Sequence, residues 1–93
     1  MNWKQLKGGA PFTIDDCSYF HYEIEENNDG GMDRDERYFS LRYRYINPDD
    51  LRPRPWEFVA IVSPRIDGLS LYTTTAGVGF TSKVKYSKIK LID

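Results

Sequence analysis

The chain is short of the residues that most often carry chemistry. It has one cysteine, Cys17, and one histidine, His21. A lone thiol closes no internal disulfide, which excludes a small scaffold stapled by bridges. One imidazole and one thiol do not assemble a transition-metal site. They do not make a thiolate–imidazole pair on a strand either, because four residues of extended chain separate them by about 13 Å. Carboxylates are plentiful, but spacing alone selects no catalytic pair, and no serine is marked out by its neighbours. The sequence is therefore expected to be non-enzymatic and to hold no cofactor and no metal.

Long apolar runs are missing as well. No stretch approaches the length of a membrane span. The start, Met1-Asn2-Trp3-Lys4-Gln5, lacks the apolar run of a secretory leader. With a single thiol, the expected setting is a reducing cytoplasm and no membrane partner is expected.

What is present fits one small domain. At 93 residues and 40% hydrophobic content there is material for one modest core. Aromatics make up 15%, with seven Tyr, five Phe and two Trp. Such residues favour strands and binding faces. Charge is unevenly spread although the net value is −1. Residues 1–36 carry three basic and nine acidic side chains, whereas residues 37–93 carry ten basic and five acidic ones. A dipolar surface follows unless the fold interleaves the two halves.

Residues 1–9 are polar and end in Gly8-Gly9, consistent with either a short helix or a loose arm. From Ser18 to Glu25 the pattern alternates, with Phe20, Tyr22 and Ile24 on one face and His21, Glu23 and Glu25 on the other. From Arg37 to Ile46 it alternates again, with Phe39, Leu41, Tyr43 and Tyr45 opposed to Tyr38, Ser40, Arg42 and Arg44. Pairing these strands would set acids against bases across the hairpin and neutralise part of the asymmetry. Residues 56–63 are apolar on both faces, with Trp56, Phe58, Ala60 and Val62 on one side and Val59 and Ile61 on the other, as in a central strand. Trp56 is expected to open that strand as a core residue. Arg65-Ile66-Asp67-Gly68 reads as a turn whose Gly supplies positive φ, and Ala76-Gly77-Val78-Gly79 as another. In the last segment Phe80, Ser82, Val84 and Tyr86 share a phase, but Ile89 and Leu91 fall out of it. A strand cannot change face without an extra residue, so a bend is predicted near Tyr86-Ser87. The expected fold is mainly β, a single domain of about five antiparallel strands in a curled sheet or small barrel, SH3-like or OB-like by analogy of size and strand count.

Several groups of residues are candidates for binding. Glu25, Asn27, Asp29, Gly30, Asp33 and Glu36 follow the order of a calcium-loop ligand set. Position one is Glu where Asp is wanted, and the flanks read as strands, so a solvated acidic hairpin loop is the expectation. That loop is long for a hairpin, which makes Asp29, Asp33, Asp35 and Glu36 candidate partner contacts. Arg52-Pro53-Arg54-Pro55-Trp56 is stiff and basic, and adds Arg52 and Arg54 to the same list. Arg42, Arg44, Lys83, Lys85, Lys88 and Lys90 are candidate anion or nucleic-acid contacts, although a pI near 5.8 is low for a general nucleic-acid binder. The Lys row also suits a solvated sheet edge, and an unpaired edge would permit a homodimer by sheet extension. The function expected from these features is a small protein-binding module or inhibitor that occludes a partner's surface. Immunity proteins, and anti-defence proteins of phages or mobile elements that block a host nuclease or complex, are of this kind. The alternative is nucleotide or nucleic-acid binding by a Tyr/Arg/Lys-lined β surface.

Overall fold

The computed structural model describes residues 1–28, 37–46, 48–49, 52 and 54–92. Seven antiparallel strands form one curled sheet, a half-barrel wrapped around a single core. They are β1 (Phe12–Ile14), β2 (Phe20–Asn28), β3 (Arg37–Tyr45), β4 (Glu57–Pro64), β5 (Gly68–Thr75), β6 (Val78–Lys85) and β7 (Ile89–Leu91). Their order across the sheet is β6-β5-β4-β3-β2-β1-β7. The five strands expected from alternation are all there. The sixth and seventh come from a three-residue strand at 12–14 and from division of the bent C-terminal segment.

That bend falls where the phase flips. Tyr86–Lys88 form one 3₁₀ turn between β6 and β7. Tyr86 N donates to Asp67 O at 2.9 Å, tying the turn to the β4–β5 connection. The turn carries the chain from one edge of the sheet to the other. There β7 pairs with β1 through Phe12–Leu91, Thr13–Lys90 and Ile14–Ile89. Flipping phase lets Ile89, 4% exposed, return to the core side.

The N-terminal segment is a helix. Residues Trp3–Leu6 form α1, closed by a capping box in which Asn2 Oδ1 accepts from Gln5 N at 3.1 Å and Gln5 Oε1 from Asn2 N at 3.0 Å. One turn of helix has no stability of its own; it is held by what it buries. Leu6 is fully buried among Phe12, Ile24, Leu41, Ala60, Val62, Leu69, Leu71 and Ile89. Trp3 packs edge-on against Phe39, with ring centroids 4.8 Å apart.

Two turns differ in their physical basis from the sequence reading. Gly68 is not at positive φ. It is needed for space, since a Cβ there would stand 2.1 Å from Val84 O. The β5–β6 turn is only Ala76-Gly77, with φ of 52° and 80°, so Val78 and Gly79 belong to β6. Positive φ at both central residues makes this a type I′ hairpin, and Ala is a strained choice for it.

Candidate functional site

The β2–β3 hairpin places its charges as alternation requires. The register pairs His21 with Arg44, Glu23 with Arg42 and Glu25 with Ser40. Arg42 binds Glu23 through Nε at 3.0 Å and through Nη2, and reaches Glu25 with Nη1 at 3.0 Å. The acidic and basic halves of the chain thus meet here. Arg44 stacks on Trp56, with Cζ 4.7 Å from the ring centroid, and Arg42 lies 6.0 Å from the same centroid. Partial burial, and then the Arg44 charge, lower the His21 pKa below the ordinary 6.5.

Trp56 is therefore half-buried beneath two guanidinium groups and precedes β4, instead of opening it as a core residue. Phe58 departs from the expected face as well. A bulge in the β3–β4 ladder brings Leu41 opposite Ala60 but Arg42 opposite Phe58. Ala60 and Val62 remain in the core while Phe58 turns outward, 59% exposed. Ile61, paired with Tyr72 across β4–β5, lies on the same outer face, and the two are 38% and 46% exposed. The result is an apolar row of Phe58, Ile61 and Tyr72 with Trp56 at its end. Tyr72 lies over Gly79, where a Cβ would come within 2.5 Å of its hydroxyl. The missing side chain at 79 thus seats the ring on β6.

The cations singled out by sequence fall into separate groups. Lys88 and Lys90 face Asp15 and Asp16, at 4.0 and 2.6 Å. Those aspartates follow β1 in a turn with φ of 56° and 57°. Lys83 and Lys85 stand on the outer face of β6, and Lys83 lines a shallow groove with Pro64, Arg65, Ile66 and Asp67. Arg52 is exposed. Arg54 lies over Tyr45, 5.6 Å from its centroid, at a second groove shared with Tyr43, Pro55 and Glu57. In that groove Tyr43 donates its hydroxyl to Glu57 at 2.6 Å, and this bond raises the phenol pKa. Asp29, Asp33, Asp35 and Glu36, with most of the calcium-like loop, lie outside the described residues. Among the described residues no group of three His, Cys, Asp or Glu is placed to hold a metal, and no helix is long and apolar enough to cross a membrane.

Sequence reasoning missed Phe58 and Tyr72 as surface residues. Alternation placed Phe58 with Ala60 and Val62, and only the paired strand reveals the bulge. Comparison of the chain with protein-family models, with curated proteins and with solved structures finds no significant match.

Proposed function

We propose that the protein docks on a protein partner through the outer face of β4 and β5 and acts by covering that partner's surface. The observation that carries this reading is the row Phe58, Ile61 and Tyr72, three large side chains left exposed on a rigid sheet. An exposed apolar row with a polar rim is characteristic of an interaction site. Tyr and Trp are also the residue types that dominate binding energy at interfaces. Because Tyr72 is already seated over Gly79, it loses little freedom on binding. Occlusion asks for a preformed surface and no catalytic group, and an inhibitor of the immunity or anti-defence kind would work in this way. Arg52 and Arg54, next to Trp56 in sequence, would steer the encounter.

A protein partner is favoured over nucleic acid by the state of the cations. Phosphate backbones are held by Lys and Arg that release counterions. Of the six candidate cations, Arg42 is engaged by Glu23 and Glu25, Arg44 stacks on Trp56, and Lys88 and Lys90 face aspartates, which leaves Lys83 and Lys85 on β6 as a pair too small for a phosphate-tracking surface.

The test is capture from native-host lysate by the tagged protein, by a Phe58→Ser/Tyr72→Ser variant and by a Lys88→Ala/Lys90→Ala variant. One protein retained at moderate salt, lost with the first variant and kept with the second, is expected. Nucleic acid retained instead, and released as salt rises, would contradict the reading.

A further inference from the structure

Strand β6 ends the sheet, and its outer edge has the makings of a docking rail. Among the described residues β6 pairs only with β5, and every residue from Val78 to Lys85 except Val84 is exposed. The type I′ turn at Ala76-Gly77 fixes which backbone groups are free. The closing pair Thr75–Val78 of such a hairpin is hydrogen-bonded across the strands, so the inward pairing recurs at Phe80, Ser82 and Val84. The N–H and C=O groups of Gly79, Thr81, Lys83 and Lys85 then point away from the sheet. The far end of the ladder agrees. The carbonyl of Gly68, opposite Lys85, accepts from Arg65 N at 2.7 Å, on the β4 side.

Exposed edges are normally blunted by being short, by charge, by proline or by a bulge. Strand β7, with three residues, is blunted by its length. Strand β6 has eight residues, and its first five, Val78-Gly79-Phe80-Thr81-Ser82, contain no charge and no proline. On its core-side face Phe80 and Val78 are 56% and 55% exposed, apolar groups that a neighbouring strand would cover. The second half carries Lys83 and Lys85, and Lys83 shares its groove with Arg65 and with one carboxylate, Asp67, so this end of the strand is net positive. These cations attract carboxylates.

We propose that β6 accepts an extended acidic segment of the partner as an added strand. It pairs with the outward backbone groups of Gly79, Thr81, Lys83 and Lys85, sets apolar side chains against Val78 and Phe80, and sets carboxylates against Lys83 and Lys85. This mode of recognition draws affinity from main-chain bonds and selectivity from alternate side chains. The proposal rests on the protein-docking reading and names the chemistry of the segment that docks.

Its test uses two capped synthetic octapeptides, one alternating Val and Glu and the other alternating Val and Lys, titrated into the isotope-labelled protein at low salt. The acidic peptide is expected to shift the amides of residues 79, 81, 83 and 85 and to slow their hydrogen exchange, with affinity about tenfold above that of the basic peptide and falling with salt. Thr81→Pro should abolish the effect while leaving the fold intact, because its lost N–H points out of the sheet; Thr81→Val should keep it. Equal shifts with both peptides, no shift at millimolar peptide, or an unchanged response in Thr81→Pro would overturn strand addition. The same four amides protected in a concentration-dependent way without peptide would make the occupant a second copy and overturn the acidic one. Because Phe58 lies on β4, away from this edge, lysate capture that is lost with Phe58→Ser alone while the peptides give nothing would refute strand addition alone.

Discussion

Replacing Leu6 by Ala tests whether the first turn of chain is part of the core or merely lies against it. Leu6 is fully buried, and α1 is too short to exist without that anchor. Removing a fully buried leucine side chain costs about 2–5 kcal/mol in the lost transfer free energy and the cavity left behind. A domain of this size has only about 5–15 kcal/mol in total. At about 4–8 °C per kcal/mol, the midpoint of thermal unfolding should fall by roughly 8–40 °C. The lower part of that range is expected, because α1 can undock and let the site relax, with Trp3 leaving Phe39 at the same time. The assay is urea unfolding followed by Trp fluorescence and circular dichroism, with Asn2→Ala as the partner variant. That second change removes only the cap and should cost about 0.5–2 kcal/mol. A Leu6→Ala loss below about 0.5 kcal/mol, the level of an ordinary surface substitution, would refute the reasoning and return residues 1–9 to a loose arm.

Further outcomes follow from single positions. Ala76→Asn should stabilise the protein by about 0.5–1 kcal/mol in the same urea assay, since Asn-Gly suits a type I′ turn and Ala does not; a loss would mean that the turn tolerates no side-chain amide there. Gly68→Ala should cost about 1–3 kcal/mol because its Cβ meets a backbone carbonyl. Gly79→Ala meets only the end of the Tyr72 ring, so it should cost less and show instead as greater exposure of that ring in tyrosine quenching; equal costs would argue against the distinction. His21 has a lowered pKa, so the fold favours the neutral ring, and its share of stability is full above 6.5 and lost as pH falls through 6.5 and on through the lower folded value. Urea midpoints of the wild type and His21→Gln should therefore diverge as pH is lowered from 7.5 to 5.5, with the wild type falling faster, and parallel curves would remove His21 from the pH dependence.

The sheet was legible in sequence wherever one strand's own pattern sufficed. Strict alternation in 20–25 and 38–45 fixed which side chains of β2 and β3 share the outer face, and the observed pairs His21–Arg44 and Glu23–Arg42 follow from it. The phase flip between Tyr86 and Ile89 signalled the turn that closes the half-barrel. Strand β1 was too short to show a period, although Phe12 and Ile14 flank Thr13 in the right phase. One helical turn has no periodicity to read, so α1 was not separable from an arm. The outward turn of Phe58 depends on a bulge, which belongs to two strands and cannot be seen in either alone. The candidate surface was obscured for the same reason. Charge drew the eye to Arg42, Lys88 and Lys90, which the fold places beside carboxylates, while the apolar row at Phe58, Ile61 and Tyr72 takes shape only once β4 and β5 are in register.

The most direct test of the docking claim places a photo-crosslinking amino acid at position 72, and separately at exposed position 19 in the β1–β2 connection, and irradiates each protein in native-host lysate. The docking reading predicts one discrete protein adduct from position 72 and none from position 19. Nucleic-acid adducts from position 72, or the same protein pattern from both positions, would contradict it.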